Sequence, residues 1–415
     1  MALAKGRRLT VAVLAAVTAL GVSVVVAYRM LAPADVVTPA TQPYPAAVTP
    51  KIGTDTRLAM APLIVDDRLR VYATTRQVWA DHPVDARTRR TAFWSLRRWP
   101  AEVSGVAAGG TTVLTRWSDG ELVALDARTG EVAWRMTGPK PAEGYTGRLT
   151  GAETVYAPPG LHLATDAASG RVTAVVAGGG ELAAYDLADG RQLWRASVDD
   201  NCRGESFTTA GGQLALIDTC AQPRAIELRD LSTGQPIAGR QPDVSGTDLA
   251  VTPVGCRAAA SDCTALRVTT GGQTQGWRVD GETPVAVAAL DAPGSVLVGD
   301  AVVGFEGTDL VVRSAQGAER WRKSAPDTTL LAAADGRVHL RTAGNDLVTF
   351  ELNRGRELSR FPLTMYSDDT GWEAGYVQAV DGYVVVERLN RADPDLGDRA
   401  YYLGAEPVLI AVTGR

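Results

Sequence analysis

"ALDARTGEVAW" (residues 124–134) is followed sixty positions later by "AYDLADGRQLW" (residues 184–194). Both runs write Ala, one spacer, Asp, three residues, Gly, three residues and Trp in the same register. A catalytic loop rarely needs a second copy, whereas a fold assembled from equivalent units needs one signature per unit. The motif has a mechanical reading. The apolar strand ends at Asp126 or Asp186, whose carboxylate can accept backbone N–H bonds across a turn. Gly130 or Gly190 supplies the positive φ that closes that turn. Trp134 or Trp194 then lies on the next strand, where a large ring wedges against a neighbouring unit, and the small Ala124 or Ala184 leaves room for the ring that arrives from the other side.

Degraded copies extend the series. "DARTRRTAFW" ends at Trp94, "TTGGQTQGW" at Trp277 and "SAQGAERW" at Trp321, while "LSTGQPI" puts Ile237 and "LNRGREL" puts Leu358 where the ring would be. The spacing stays near forty residues except where "ETVYAPPGLHLATDAASG" is inserted between Trp134 and Trp194. Units of about 40 residues built from short strands are propeller blades, each a four-stranded antiparallel sheet. Turns near Thr88, Thr129, Asp189, Thr233, Gly271, Gly317, Arg354 and Thr413 count eight. The sequence therefore predicts an all-β, eight-bladed propeller, with seven blades as the alternative if the fourth or fifth unit is not a full sheet. "PVLIAVTGR" runs through an inner strand and a turn and stops where the outermost strand of the last blade would begin. The segment "PAAVTPKI" (residues 45–52) is placed to supply it, which would remove an exposed edge.

The Ala-x-Asp-x-x-x-Gly-x-x-x-Trp pattern resembles the tryptophan-docking motif of the PQQ-binding-like, or quinoprotein-like, β-propellers. Residues 124–134 match it with Thr129 before Gly130, and residues 184–194 depart by Asp189. The resemblance covers about residues 57–415 as an architecture. It implies two kinds of relative. In the enzymes, PQQ sits in the central channel, stacked on a tryptophan near Ca²⁺ and a catalytic aspartate. Those enzymes usually carry adjacent disulfide-bonded cysteines, and this chain has no Cys-Cys pair; it also lacks a Gly-x-Ser-x-Gly elbow and a phosphate loop. The second kind is a lipoprotein subunit of the outer-membrane protein assembly machinery, which implies binding through the loop faces. No cysteine stands near the N-terminus to carry a lipid.

The N-terminal residues set the compartment. Residues 9–28, "LTVAVLAAVTALGVSVVVAY", carry no charge and, at about 1.5 Å per residue, are long enough as a helix to cross a core of about 30 Å. Lys5, Arg7 and Arg8 precede them, which keeps residues 1–8 cytoplasmic and sends the rest outside. A cleaved signal peptide, with Ala32-Pro33-Ala34 as its small-residue site, is the competing reading. Residues 29–56, rich in Pro, Ala and Thr, read as an extended tether containing the closing strand, and residues 57–415 as the propeller. The net charge of −5 excludes a phosphate-tracking surface, so no nucleic-acid partner is expected. Four cysteines fit an oxidising compartment. Cys202 and Cys220 are symmetric about a turn at 210–212, and Cys256 and Cys263 flank "RAAASD", so both pairs read as hairpin clips. His82, His162 and His339 are scattered, which argues against a metal cluster.

Two further stretches carry candidate binding residues. "NRADPDLGDRAYY" offers Asp393, Asp395 and Asp398 at spacings that could ligate Ca²⁺, with solvated turn acids as the plainer account. "YSDDTGWEAGYVQ" puts Tyr366, Trp372 and Tyr376 around Asp368 and Asp369, an interface composition that inner packing would equally explain. The sequence-based expectation is a monomeric, membrane-anchored, extracytoplasmic propeller with no cofactor, acting as a scaffold or sensor for other envelope or membrane proteins. A PQQ-dependent oxidoreductase and a receptor for an envelope ligand such as a glycan are the alternatives.

Overall fold

The computed structural model describes residue 23 and residues 33–81, 92–166, 169–199, 201–237, 239, 242, 244–258, 260–363, 371–390 and 401–414. They form eight antiparallel sheets arranged as a propeller, seven of four strands and one of five. From the channel outward, blade 1 uses Leu63–Val65, Leu69–Thr74, Gln77–Asp81 and Trp94–Trp99; blade 2 uses Val103–Gly109, Thr112–Trp117, Glu121–Asp126 and Val132–Thr137. Blades 3 to 7 repeat this order, with innermost strands Leu161–Thr165, Arg203–Thr208, Ala250–Val254, Val296–Val298 and Thr329–Ala334. Burial follows depth. In Glu121–Asp126 the four central residues Leu122, Val123, Ala124 and Leu125 are all fully buried, because a middle strand is covered by blades on both sides. The outermost strand Val132–Thr137 alternates half-buried and exposed positions, as a rim strand must.

The seams between blades are built by the tryptophans. Trp94 Nε1 of blade 1 donates to the carbonyl of Ala127 in the turn of blade 2 at 2.8 Å, and Trp134 to Leu187 of blade 3 at 2.9 Å. Trp194 donates to Leu231 of blade 4 and Trp321 of blade 6 to Leu352 of blade 7, both at 2.7 Å. Each ring lies on the glycine of that same turn. A Cβ on Gly190, Gly234 or Gly355 would come within 2.6 Å of Trp134, Trp194 or Trp321. Gly130 has the same relation to Trp94, so this glycine is required twice, by its φ of 71° and by the ring above it. Asp126 ties the turn down, accepting from the Arg128 N–H at 2.9 Å.

Trp277 is different from the reading of its motif. The pair Gly271-Gly272 joins the second and third strands of blade 5, Ala265–Thr270 and Gln273–Arg278, so Trp277 lies on the third strand and not on the rim. Its indole therefore reaches no neighbouring turn. The blade 4/5 seam, where Ile237 stands in for the ring, is bridged from the centre. There the loop clipped by the Cys256–Cys263 disulfide folds onto blade 4, with Cys263 N–H donating to Thr208 O at 2.8 Å and Thr208 N–H to Ala260 O at 2.9 Å. The second disulfide, Cys202–Cys220, closes the open end of the hairpin formed by Arg203–Thr208 and Gln213–Asp218.

The ring closes through the N-terminal chain. Blade 8 consists of Trp372–Val380, Tyr383–Asn390 and Val408–Val412, and its fourth strand is Gly53–Leu58, paired antiparallel to Val408–Val412. The closing strand thus starts just after the expected residues 45–52. "GTDTRL" suits a rim position, which asks for little burial, and Thr54 and Thr56 are β-branched. The preceding residues are not a free tether either. Ala34–Thr38 pairs with Trp94–Trp99 as a fifth strand of blade 1, Ala40 N–H donates to Thr129 O at 2.7 Å, and Tyr44 OH donates to Asp66 at 3.0 Å. Residues 34–58 therefore form a strap running from the rim of blade 1 across the face that carries the docking turns to the rim of blade 8. Among the described residues no helix is long and apolar enough to cross a membrane; the segment 9–28 lies, but for Ser23, outside them.

Trp94→Ala should destabilise the domain by about 3–5 kcal/mol, the usual cost of truncating a core aromatic, read as a lower denaturant midpoint. Gly190→Val should be comparably harmful, because it collides with Trp134, whereas Gly271→Val, with nothing within 4 Å of its Cβ, pays only backbone strain of roughly 1–3 kcal/mol. Equal effects at the two glycines would refute the docking account. Replacing both Cys256 and Cys263 by Ser should cost about 2–4 kcal/mol and raise amide exchange at Thr208 and Ala210 before it does so at Ala127 or Leu187.

Candidate functional site

The two ends of the channel are built differently. At the docking-turn end, the innermost hairpins of blades 1, 7 and 8 turn through Asp66-Asp67, Asp335-Gly336 and Asp381-Gly382, all with positive φ between 50° and 83°. Such turns favour Asp and Gly because both tolerate the left-handed region. They converge on a recess of about 530 Å³ lined by Asp66, Asp67, Arg68, Asp335, Arg337 and Asp381, with Ala47 of the strap at its edge. Burial and the neighbouring charges of Asp335 and Asp66 raise the Asp381 carboxyl above its ordinary value. Arg68 stacks on Tyr44 at 5.2 Å, and Arg337 donates to the carbonyl of Gly414. The recess is acidic, polar and solvent-open, with its arginines already engaged.

At the other end the insertion between blades 2 and 3 fills a gap. Blade 1 has a three-residue innermost strand, and helix α1 (Ala152–Tyr156) packs beside it against the inner strands of blades 2 and 8. Gly151, with φ 71°, lets the helix start hard against the carbonyl of Ala73, where a Cβ would sit at 2.6 Å. Tyr156 OH donates to Pro62 O at 2.6 Å, and Ala61 N–H donates to Thr150 O at 2.8 Å. Arg116, almost fully buried, holds the base of the insertion by donating to the carbonyls of Pro139, Pro159, Gly160 and Ala177. Buried Glu387 of blade 8 accepts from Thr150 OH, 237 residues away, and from the Tyr376 N–H at 3.3 Å. Burial raises the Glu387 carboxyl above its ordinary range, against the pull of those two hydrogen bonds.

Of the residues singled out from sequence, Ala124, Ala184, Asp126, Asp186 and the four docking rings lie in the seams. Trp372 is not surface material: it is 2% exposed, with the Arg341 guanidinium 4.2 Å above its ring. An inner strand of a propeller buries its first residue when the neighbouring blade covers it. Tyr376 is half-buried above Glu387. Tyr366, Asp368, Asp369, Asp393, Asp395 and Asp398 lie outside the described residues. Among the described residues no three His, Cys, Asp or Glu side chains are grouped to hold a metal ion. The quinone cofactor of the enzymes is a flat, anionic ring system that needs an open tryptophan face on the channel wall. Trp372 is the only tryptophan on a described innermost strand, and Arg341 covers it. The residues present do not fit that group. The acidic recess escaped the sequence reading, although "VDDR", "ADGR" and "VDGY" are hairpin signals at matching places in three units.

Glu387→Gln tests the electrostatics. A carboxyl whose folded pKa lies above the unfolded value stabilises the fold fully only below that unfolded value, and the contribution is lost as pH rises through the folded pKa. The substituted protein should therefore gain stability relative to the parent between pH 4.5 and pH 7, seen in the difference of denaturant midpoints. A constant difference across that window would contradict the burial argument.

Solved structures match at low identity, with TM-scores below 0.5. A crystal structure of BamB from Moraxella catarrhalis is 15% identical, with a TM-score of 0.42 over 90% of this chain and 97% of that one. The quinohemoprotein alcohol dehydrogenase from Comamonas testosteroni is 14% identical, with a TM-score of 0.40 over 87% of this chain and 75% of that one. A computationally designed protein, Ika8, reaches 0.44 at 13% identity over 88% of this chain and 99% of that one. No curated protein matches the sequence. The profile of the family described as outer membrane protein assembly factor BamB matches residues 47–156 and 119–329, more than half of the chain and most of its docking turns, and so the protein belongs to that family of PQQ-like β-propellers.

Proposed function

We propose that this protein is a membrane-anchored, extracytoplasmic propeller that serves as a non-catalytic interaction scaffold in the cell envelope, holding partner proteins through its loop faces. The observation that carries this reading is the family match across residues 47–329, since the family is described by an assembly factor and not by an enzyme. Two features of the chain agree with it. Among the described residues the one tryptophan on an innermost strand, Trp372, has the Arg341 guanidinium against its ring. The disulfides Cys202–Cys220 and Cys256–Cys263 suit the oxidising side of a membrane. The anchor is the uncharged segment 9–28, with Lys5, Arg7 and Arg8 on the cytoplasmic side.

The acidic recess is the proposed contact. Carboxylates on rigid two-residue turns present charge at fixed positions, and such charges steer partners and set specificity more than they add raw affinity. The partner segment is accordingly basic. The test combines topology with capture. Protease added outside the cytoplasmic membrane should digest the propeller. Asp335→Asn with Asp381→Asn removes two of the carboxylates with a residue that tolerates the left-handed turn, and should lower cross-linking to an envelope partner by about tenfold, equivalent to about 1.4 kcal/mol, with the melting temperature nearly unchanged. Digestion only after the membrane is opened, or capture indifferent to the double substitution, would refute the reading.

A further inference from the structure

We propose that the propeller stands on its rim, with the outer edge of blade 1 against the lipid surface and blades 5 and 6 pointing away from it. The inference rests on the anchor reading above and adds an orientation to it. Its first support is where the strap begins. Ala34–Thr38 is not a loose leader but a paired strand, with Ala34 opposite Trp99 and Thr38 opposite Ser95. Its second support is a clip of charges over the blade 1/2 seam. Asp35 pairs with Arg98 of blade 1 at 3.6 Å and with Arg135 of blade 2. Arg98, only 11% exposed and 5.1 Å above the Trp117 ring, also pairs with Asp119 at 3.0 Å and with Glu121, which Arg135 reaches in turn at 3.2 Å. A network of five charges with a shielded arginine at its centre resists screening better than an isolated surface pair.

The third support is chain length. From Tyr28, the last residue of the uncharged segment, to Ala34 there are six peptide steps, which span at most about 20 Å when fully extended. The rim strand of blade 1 is thus confined near the membrane, while in an eight-blade ring blade 5 lies diametrically opposite, with blade 6 next to it. Val36, at the middle of that strand, is 52% exposed, an apolar residue suited to the lipid interface. With the rim down, both loop faces stay open at right angles to the membrane, including the acidic recess.

The full-length protein would be placed in phosphatidylethanolamine–phosphatidylglycerol vesicles that carry a nitroxide on the headgroup. Because all four native cysteines are in disulfides, a single introduced thiol can be labelled with a fluorophore without reduction. Label at Arg97→Cys, on blade 1, should be quenched about threefold or more relative to label at Ser324→Cys, on blade 6, since the tether holds Ala34, two residues before Arg97's partner Val36, within about 20 Å of the end of the uncharged segment. A Gly/Ser-lengthened link between Ala32 and Pro33 should abolish the difference. Flotation separates the two failures. If the protein does not float with the vesicles, the anchor reading falls and the orientation with it. If it floats but the two labels are quenched alike, if Ser324→Cys is quenched more, or if the lengthened link leaves the difference intact, the anchor stands and the rim-down orientation is wrong.

Discussion

One hydrogen bond organises the rest of the molecule: the indole N–H of a rim tryptophan donating to a carbonyl in the next blade's turn. It ties the edge of one sheet to the backbone of another and so fixes the angle between them. The carbonyl it reaches sits one residue after the turn aspartate, as at Ala127 and Leu187, so the Asp that shapes the turn also aims the acceptor. The glycine under the ring then sets the distance. Because the three elements lie within one short stretch, a single motif encodes one half of each of two seams: Ala124 to Gly130 receives Trp94, and Trp134 leaves for blade 3. Such coupling explains why motif strength and seam strength go together around the ring.

Where the motif decays, other constraints hold the circle. Ile237 reaches no turn, and there the disulfide-clipped loop 256–263 crosses inward, pairing with Thr208 and offering Ser261 Oγ to the Leu163 N–H and Asp262 to the Thr165 N–H of blade 3. Leu358 leaves the blade 7/8 seam without an indole, but Thr54 on the closing strand donates to Pro362 O at 2.7 Å. The N-terminal strand of blade 8 thus closes the ring and also braces its weakest joint. Blade 1, whose inner strand is only three residues long, is completed by α1 from the insertion between blades 2 and 3.

That pattern also explains what could be read in advance. Blade number and seam chemistry are local, carried by eleven-residue runs, and were legible. Trp277 was misplaced because Gly-Gly turns serve second-to-third connections as readily as rim connections, and the spacing of residues cannot tell them apart. The strap was missed because Pro- and Thr-rich composition describes a rim strand as well as a linker, and only the partner strand Trp94–Trp99 decides between them. Glu387 and Thr150 stand 237 residues apart, and nothing near either one announces the other. The acidic recess depends on three turns from blades 1, 7 and 8 meeting at the centre, which follows from ring closure and not from any one turn.

Closure therefore makes the two channel ends unequal. At one end an insertion completes blade 1, and its Tyr156, its Gly151 and the buried Glu387 fill the space. At the other end the inner strands of blades 1, 7 and 8 finish in two-residue turns that set acids, with Arg68 and Arg337 among them, around an opening. Asp66, Asp335 and Asp381 line one recess because each sits in the tight turn of an innermost hairpin, and ring closure brings blades 1, 7 and 8 together. The Asp381 carboxyl is raised first by its burial and then by the charges of Asp335 and Asp66. A cationic side chain entering the recess would relieve the repulsion, so the same frame that strains the acids in isolation favours a basic partner once one arrives.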